Sequence, residues 1–162
     1  EYYCEQLTSA GKVIIFGGGH IAQELVPVLS HVGFRCVVMD DRKEFADRKL
    51  FKMADEVVYG SFENIADNIS ITKNDYAVVV TRGHSNDYTV MEQVLRIDTR
   101  YVGMIGSKGK IAKINEKLLD AGISKEAIER VYAPIGIHIK AETPAEIAIS
   151  IAAELIEVRS KK

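Results

Sequence analysis

Residues 12–22 constrain the fold most, because a short apolar strand pattern leads directly into three glycines and then into a helical pattern. Lys12–Phe16 (K-V-I-I-F) is typical of a central parallel strand that is buried on both faces. From His20 to His31 the apolar residues recur at helical spacing, and Gly33 is positioned to end that helix. The segment therefore predicts the first strand–turn–helix unit of an α/β fold.

The same alternation continues along the chain. Further strands are predicted at 35–39, 55–59, 76–80 and 101–105, and further helices at 86–96, 108–121, 124–130 and after Thr143. Strands that alternate with helices predict right-handed crossovers and a three-layer, Rossmann-like, doubly wound parallel sheet in one domain over 1–162. The chain starts at Glu1 without an initiator methionine. We therefore expect that an upstream segment is missing and that residues 1–8 are an edge strand left from it.

The glycine turn predicts a phosphate site. Residues 17–22 (G-G-G-H-I-A) fit the pattern G-x-G-x-x-A between a strand and a helix. In this pattern Gly17 allows the tight turn, Gly19 lets a phosphate approach the backbone, and Ala22 lets the helix pack closely. The first amides of the helix would then face the anion. A tight turn without a ligand is the alternative.

An acidic residue follows the second strand at the position expected for a dinucleotide site. Asp40 lies 21 positions after Gly19 and would hydrogen-bond a ribose 2′-hydroxyl. Asp41 and Arg42 come next, and Arg42 could instead accept an additional phosphate. The sequence therefore leaves open whether NAD or NADP would be preferred.

Two more polar loops follow predicted strands. In residues 81–87 (T-R-G-H-S-N-D), Arg82 could clamp a phosphate and His84 could contact a ligand, while Ser85 and Asn86 are expected to cap the next helix. Asp87 could orient His84 or act as a cap. Residues 106–110 (G-S-K-G-K) combine flexible backbone, the hydroxyl of Ser107 and two cations, although such lysines also commonly coat an exposed helix. With either interpretation, Ser107 is predicted to be the N-cap of the next helix. Loops that follow parallel strands open at one edge, where α/β sheets bind ligands.

The last helix begins with a capping box, since Thr143-Pro144-Ala145-Glu146 supplies an N-cap Thr, a first-turn Pro and Glu at the third position. Its polar residues form one stripe, at Glu146, Ser150, Glu154 and Glu157. A helix that is apolar on most sides must be covered. It therefore lies between the sheet and another element, or it packs in a homo-oligomer. The imidazoles of His20, His31 and His138 are interpreted as structural.

The composition limits the classes of partner that the protein is expected to bind. The net charge of −2 provides no overall positive field, so we expect no nucleic-acid partner. No apolar run approaches the roughly 20 residues of a membrane span, so we expect no membrane association. The two cysteines match no metal or redox spacing, which favours a cytoplasmic location with Cys36 as a buried small side chain. No metal site, catalytic triad or pair of catalytic carboxylates is predicted.

Five segments together resemble the XdhC/CoxI family of xanthine dehydrogenase accessory factors, in the part that forms its Rossmann domain. They are residues 14–22 (I-I-F-G-G-G-H-I-A), 37–42 (V-V-M-D-D-R), 81–87 (T-R-G-H-S-N-D), 101–110 (Y-V-G-M-I-G-S-K-G-K) and 133–155 (A-P-I-G-I-H-I-K-A-E-T-P-A-E-I-A-I-S-I-A-A-E-L). The last segment is the most specific. We expect the smaller amino-terminal domain of the family to be absent from this sequence.

The resemblance implies an accessory protein for molybdenum hydroxylases that is not itself a catalyst. Such a protein would bind molybdenum cofactor (molybdopterin or its dinucleotide), support sulfuration by a cysteine desulfurase, and assist insertion into the apo molybdenum hydroxylase. The alternatives are an NAD(P)-dependent oxidoreductase and a nucleotide-sensing regulatory domain. The candidate cofactor-binding residues are Gly17, Gly18, Gly19, His20, Ala22, Asp40, Asp41, Arg42, Thr81, Arg82, His84, Asp87, Gly106, Ser107 and Lys108.

Overall fold

A computed structural model describes residues 11–161, which form a five-stranded parallel sheet with helices on both faces. The strands are β1 (Lys12–Phe16), β2 (Arg35–Asp40), β3 (Glu56–Tyr59), β4 (Tyr76–Val79) and β5 (Tyr101–Met104). Their order in the sheet is β3-β2-β1-β4-β5, and every neighbouring pair is parallel. The helices are α1 (His20–His31), α2 (His84–Val94), α3 (Lys108–Asp120), α4 (Lys125–Glu129) and α5 (Pro144–Ser160).

The central strand explains the apolar run that opens the sequence. Side chains alternate across a strand, so Val13 and Ile15 of β1 enter one hydrophobic core while Ile14 and Phe16 enter the other. The first core also contains residues of α1 and α5, and the second contains residues of α2 and α3. The predicted three-layer, doubly wound architecture is therefore confirmed.

The predicted boundaries are close to those found. The span of α1 is as predicted, and each strand ends within one residue of its predicted end. The sequence did not predict the 3₁₀ helix at Phe62–Asp67, which buries Phe62 and Ile65 against the second core. The predicted edge strand at 1–8 lies outside the described residues. In the described part of the chain, no helix is both long and apolar enough to cross a membrane.

Helix α5 has the predicted capping box. The hydroxyl of Thr143 accepts the backbone amide of Glu146, and the carboxylate of Glu146 accepts the backbone amide of Thr143. The predicted polar stripe of this helix does not face solvent along its whole length, because Ser150 and Glu154 are buried. The helix lies between the core that it shares with α1 and the loop at 134–141, which is the first of the two predicted positions. Ile149 remains 52% exposed on its outer side.

Asp75 joins the amino-terminal ends of β1 and β4. Its buried carboxylate accepts hydrogen bonds from the amides of Lys12 (3.0 Å) and Thr72 (2.7 Å) and from the Lys12 ammonium (3.3 Å). Burial by itself would raise the pKa of Asp75, but the hydrogen bonds from Thr72 and Lys12 and the charge of Lys12 outweigh it. The pKa is therefore lower than the ordinary value, and the ionised carboxylate stabilises the fold.

We expect Asp75→Asn to lower the free energy of unfolding at neutral pH by about 1–3 kcal/mol, because an amide cannot accept the same set of hydrogen bonds. Since the folded-state pKa of Asp75 is below the ordinary 3.8, this stabilisation is present above 3.8 and is lost as the pH falls through the folded-state pKa. The difference between variant and wild type in urea unfolding should therefore shrink at strongly acidic pH. Asp67→Asn, on an exposed side chain, is the control. Equal stability of Asp75→Asn and wild type at neutral pH would contradict the assignment.

Candidate functional site

The glycine turn lies at the point where the order of the sheet reverses, between the ends of β1 and β4. Gly17 has φ +109°, and a side chain there would overlap the carbonyl of Val80 at the end of β4. The amide of Gly17 donates to the carbonyl of Met39, which extends the pairing with β2. Only glycine allows this approach of three strand ends, and the turn is therefore held at the carboxyl edge of the sheet.

The first turn of α1 offers amides to this edge. Amides in the first turn of a helix have no acceptor within the helix, and α1 has no acidic residue there to compensate their positive charge. A Cβ atom built on Gly19 would meet no heavy atom within 4 Å, so the space in front of this turn is open. Ala22 is fully buried in the core, as close helix packing requires. His20 is exposed.

Asp40 is occupied by contacts within the chain. One carboxylate oxygen accepts the amide of Gly18 at 2.7 Å and the Nη2 of Arg42 at 2.9 Å, and the other accepts the amide and Nε of Arg42, each at 2.9 Å. Burial by itself would raise the pKa of Asp40, but the bonds from Arg42 and Gly18 outweigh it and lower the pKa. The ribose contact predicted for Asp40 would require these bonds to break. Asp41 is exposed beside them.

Arg42 is also held by contacts within the chain. Its guanidinium lies 3.8 Å from the ring centroid of Phe45, and a side chain on Gly18 would overlap the backbone carbonyl of Phe45. The segment after β2 therefore folds over Gly18, and the amide of Gly18 is no longer available to a phosphate. Of the glycine turn, Gly19 and the start of α1 remain open.

A buried network joins the loops that follow β4 and β5. The fully buried carboxylate of Asp87 accepts the hydroxyl hydrogen of Thr81 and contacts the ammonium of Lys110. Thr81 is itself buried, and the side chain of Lys110 is 14% exposed. The polar loops at 81–87 and 106–110 are thereby brought together. Lys110 neutralises a buried carboxylate, so it does not only coat an exposed helix surface.

A cleft of about 750 Å³ opens beside this network, between the start of α2 and the outer face of α3. We call it the lysine cleft; it is lined by His84, Ser107, Gly109, Lys110, Lys113, Ile114, Glu116, Lys117 and Asp120. Its end at the carboxyl edge of the sheet carries Ser107, which caps α3 by accepting the amide of Lys110 as predicted. Arg82 and Lys108 are exposed at the same edge, and Gly106 is half-buried there.

Of the lysines in the lysine cleft, Lys110 is paired with Asp87, Lys113 lies one turn further along α3, and Lys117 lies in the last turn of the helix. Glu116 and Asp120 line the same carboxyl-terminal end of the cleft. The edge of the sheet therefore combines free helix amides, hydroxyls and cations, which together suit an anionic group such as a phosphate.

The family model of the XdhC Rossmann domain matches residues 13–155, from β1 into α5. The chain belongs to this family.

The chain is also similar to two proteins known from their sequences and to one solved structure. The chain is 28% identical over 159 residues to a Bacillus subtilis protein named as a probable subunit of xanthine dehydrogenase, covering 98% of this chain and 46% of the relative. It is 26% identical over 150 residues to the uncharacterized protein YqeB of Escherichia coli, covering 92% and 27% respectively. A crystal structure of a xanthine dehydrogenase from Bacillus halodurans superposes with a TM-score of 0.82 at 33% identity, covering 94% of this chain and 44% of that one. The chain thus spans less than half the length of each relative.

Two predictions about this XdhC domain are wrong. Ser85 and Asn86 do not cap α2, because the helix begins at His84 and Gly83 holds the cap position without a side-chain hydrogen bond. Asp87 neither caps the helix nor pairs with His84, since its oxygens face Thr81 and Lys110. The imidazoles of His20, His31 and His138, interpreted as structural, are exposed.

The sequence also missed functional features of the domain. The sequence does not indicate that Phe45 lies over Gly18, because Phe45 is in an irregular loop without a periodic pattern. Asp87 and Lys110 are each common on helix surfaces, and only the packing of α2 on α3 reveals them as partners. Among residues 11–161, no cluster of three histidine, cysteine or acidic side chains is placed to hold a metal ion.

We expect Lys110→Met to be more destabilising than Asp87→Asn. Removing the ammonium leaves a buried charge with only Thr81 as a partner, which costs about 3–5 kcal/mol. In Asp87→Asn the uncharged amide can still accept the Thr81 hydroxyl, so its cost should be about 1–3 kcal/mol. Urea unfolding measures both variants. Lys113→Met, on an exposed lysine one turn further along α3, should change stability by less than about 0.5 kcal/mol. A Lys110→Met effect as small as that of the control would show that the ion pair does not form.

Proposed function

We propose that this domain is an accessory factor for xanthine dehydrogenase-type molybdenum hydroxylases that binds the phosphate of molybdenum cofactor at the carboxyl edge of its sheet. The observation that carries the proposal is the open first turn of α1 in a chain of the XdhC family. Gly19 faces free space, the turn contains no acidic residue, and the exposed Arg82 lies on the loop after the neighbouring strand. Two relatives, one named a probable part of xanthine dehydrogenase and one a xanthine dehydrogenase, support the choice of client.

In this proposal the domain holds the cofactor and does not transform it. Backbone amides and arginine bind a phosphate without proton transfer, so the site supplies affinity and orientation. The proposal includes sulfuration by a cysteine desulfurase and transfer into the apo-enzyme. Cys36 is unsuited to carry the sulfur, because burial and the nearby Asp55 raise the pKa of its thiol to about 12.

The decisive experiment is titration of this chain with molybdenum cofactor released from a purified molybdenum hydroxylase under anaerobic conditions. Gly19→Val places a branched side chain in the proposed phosphate position, and Arg82→Ala removes a charged partner. Each should weaken binding about 10- to 100-fold, the equivalent of one charge-assisted hydrogen bond. Arg48→Ala, on another exposed loop arginine, should leave the affinity unchanged.

Gly19→Val should retain the fold, because no heavy atom lies within 4 Å of a Cβ atom at this position. We expect its free energy of unfolding to fall by at most about 1 kcal/mol, through the poorer helix cap. Absence of cofactor binding by folded wild type would refute the proposed function. Wild-type affinity in Gly19→Val would show that the phosphate lies elsewhere.

The alternative of an NAD(P)-dependent oxidoreductase is less consistent with this site. Asp40 would have to release both Gly18 and Arg42 before it could hold the adenosine ribose, and Arg42 would have to leave Asp40 to accept a 2′-phosphate. A ligand that binds only the native state raises its melting temperature. We therefore expect NADH and NADPH at millimolar concentration to leave the melting temperature unchanged. A clear rise with either nucleotide would favour the oxidoreductase.

A further inference from the structure

The segment of the sequence most specific to the family, 133–155, includes a loop that has no part in the proposed phosphate site at Gly19, the first turn of α1 and Arg82. We call that site, at the carboxyl edge of the sheet, the phosphate edge. Tyr132 pairs with β5 through two backbone hydrogen bonds, of 2.9 Å to Val102 and 3.0 Å to Met104, and so covers the free edge of the sheet. The chain then crosses the carboxyl end of β5 through residues 134–141 and enters α5. This loop lies on the same edge of the sheet as the candidate phosphate site.

Two buried polar side chains of α5 hold the loop in place. Glu154 accepts the amide of Gly136 at 3.1 Å and the hydroxyl of Tyr101 at 2.5 Å. The hydroxyl of Ser150 donates to the carbonyl of Ile137 at 2.6 Å, and the amide of Ile137 donates to the carbonyl of Ser150 at 3.3 Å. A polar group is expensive to bury unless it is hydrogen-bonded, so these contacts define one loop conformation.

Gly136 is needed for that conformation. Its φ is +94°, and a side chain there would overlap the hydroxyl of Ser150. Tyr101 is in turn fixed by stacking on Tyr132, with 4.7 Å between the ring centroids. The loop is therefore tied to β5, to its flanking segment and to α5, although its own side chains are largely exposed.

The fixed loop forms one wall of a cleft of about 510 Å³, and the end of β5 forms another. We call it the isoleucine cleft, because Ile105, Ile137, Ile139 and Ile147 line it together with Ser107 and His138. Ile139 is 47% exposed and Ile137 is 38% exposed. Its volume is within the range of small-molecule sites, which combine apolar walls with a few polar groups.

We infer that the isoleucine cleft receives the flat heterocyclic ring of the phosphate-bearing ligand whose anionic group binds at the neighbouring phosphate edge. The inference builds on the proposed function and adds where the rest of the ligand lies. Ser107 lines both the isoleucine cleft and the lysine cleft, so the two clefts adjoin at this residue on the carboxyl edge of the sheet. Branched aliphatic side chains suit the faces of a flat ring, and backbone groups and His138 suit its polar edge.

The way the loop is held favours a binding role. Exposing an isoleucine side chain to water does not stabilise the fold. Glu154 and Ser150 nevertheless fix the loop so that Ile137 and Ile139 are exposed in the cleft. A wall that is already ordered loses little conformational entropy when a ligand packs against it, which increases affinity. Both a pterin and an adenine ring have the required flat shape and polar edge.

The matched variants are Ile139→Asp, in the isoleucine cleft, and Ile149→Asp, on the exposed face of α5 outside it. Both replace a similarly exposed isoleucine, so both should fold. In titrations with released molybdenum cofactor, Ile139→Asp should bind about tenfold or more weakly than wild type, because it loses apolar contact with the ring. Ile149→Asp should bind as wild type does. Inorganic pyrophosphate, which has no ring, should bind all three proteins equally in calorimetry.

Two ring probes without phosphate, neopterin and adenosine, separate this inference from the proposed function. Saturable binding of either probe that is lost in Ile139→Asp and kept in Ile149→Asp supports the cleft as a ring site, and the preferred probe identifies the ring. This result would stand even if wild type bound no molybdenum cofactor, an outcome that refutes the proposed function alone. Equal cofactor affinity in Ile139→Asp and wild type, or binding of neither probe by wild type, would overturn the inference.

Discussion

The contact between Gly17 and the carbonyl of Val80 is the constraint on which the site depends. It brings the ends of β1 and β4 together where the order of the sheet reverses, and it aims the start of α1 at the space above them. Because the sheet is parallel and its strands are buried on both faces, only the carboxyl edge is left to carry polar loops toward a ligand. The loops after β1, β4 and β5 all open there.

Buried carboxylates position the loops around this frame. Asp40 holds the glycine turn through Gly18, Asp87 joins the loops after β4 and β5, and Glu154 holds the loop before α5. Each is less than 10% exposed, and each is matched by amides, hydroxyls or a cation. Such groups are costly to bury unless they are paired, so each restricts its loop to a narrow set of conformations. The site is therefore largely formed before any ligand arrives.

The two halves of the proposed site differ in chemistry. The phosphate edge combines helix amides with Arg82 and the lysine cleft, and the isoleucine cleft offers apolar walls. A ligand with an anionic end and a flat ring matches both halves, as a phosphorylated pterin does. In this XdhC-family domain Asp40 is hydrogen-bonded to Gly18 and Arg42, whereas holding the ribose of a nicotinamide dinucleotide would need its carboxylate to be free.

The sequence by itself determined the layers, the boundaries of most elements and the edge at which the loops meet. These features depend on local periodicity and on glycine, which act over a few residues: α1 was predicted to the residue, and Ser107 and Thr143 were found as caps. Only the tertiary structure decided what the buried carboxylates bind. Asp40 meets Gly18 across 22 positions and Glu154 meets Tyr101 across 53, and a side chain's own sequence neighbours do not specify such partners. For the same reason Ser150 and Glu154 were interpreted only as part of a polar stripe, whereas the packing of the loop at 134–141 on α5 buries them.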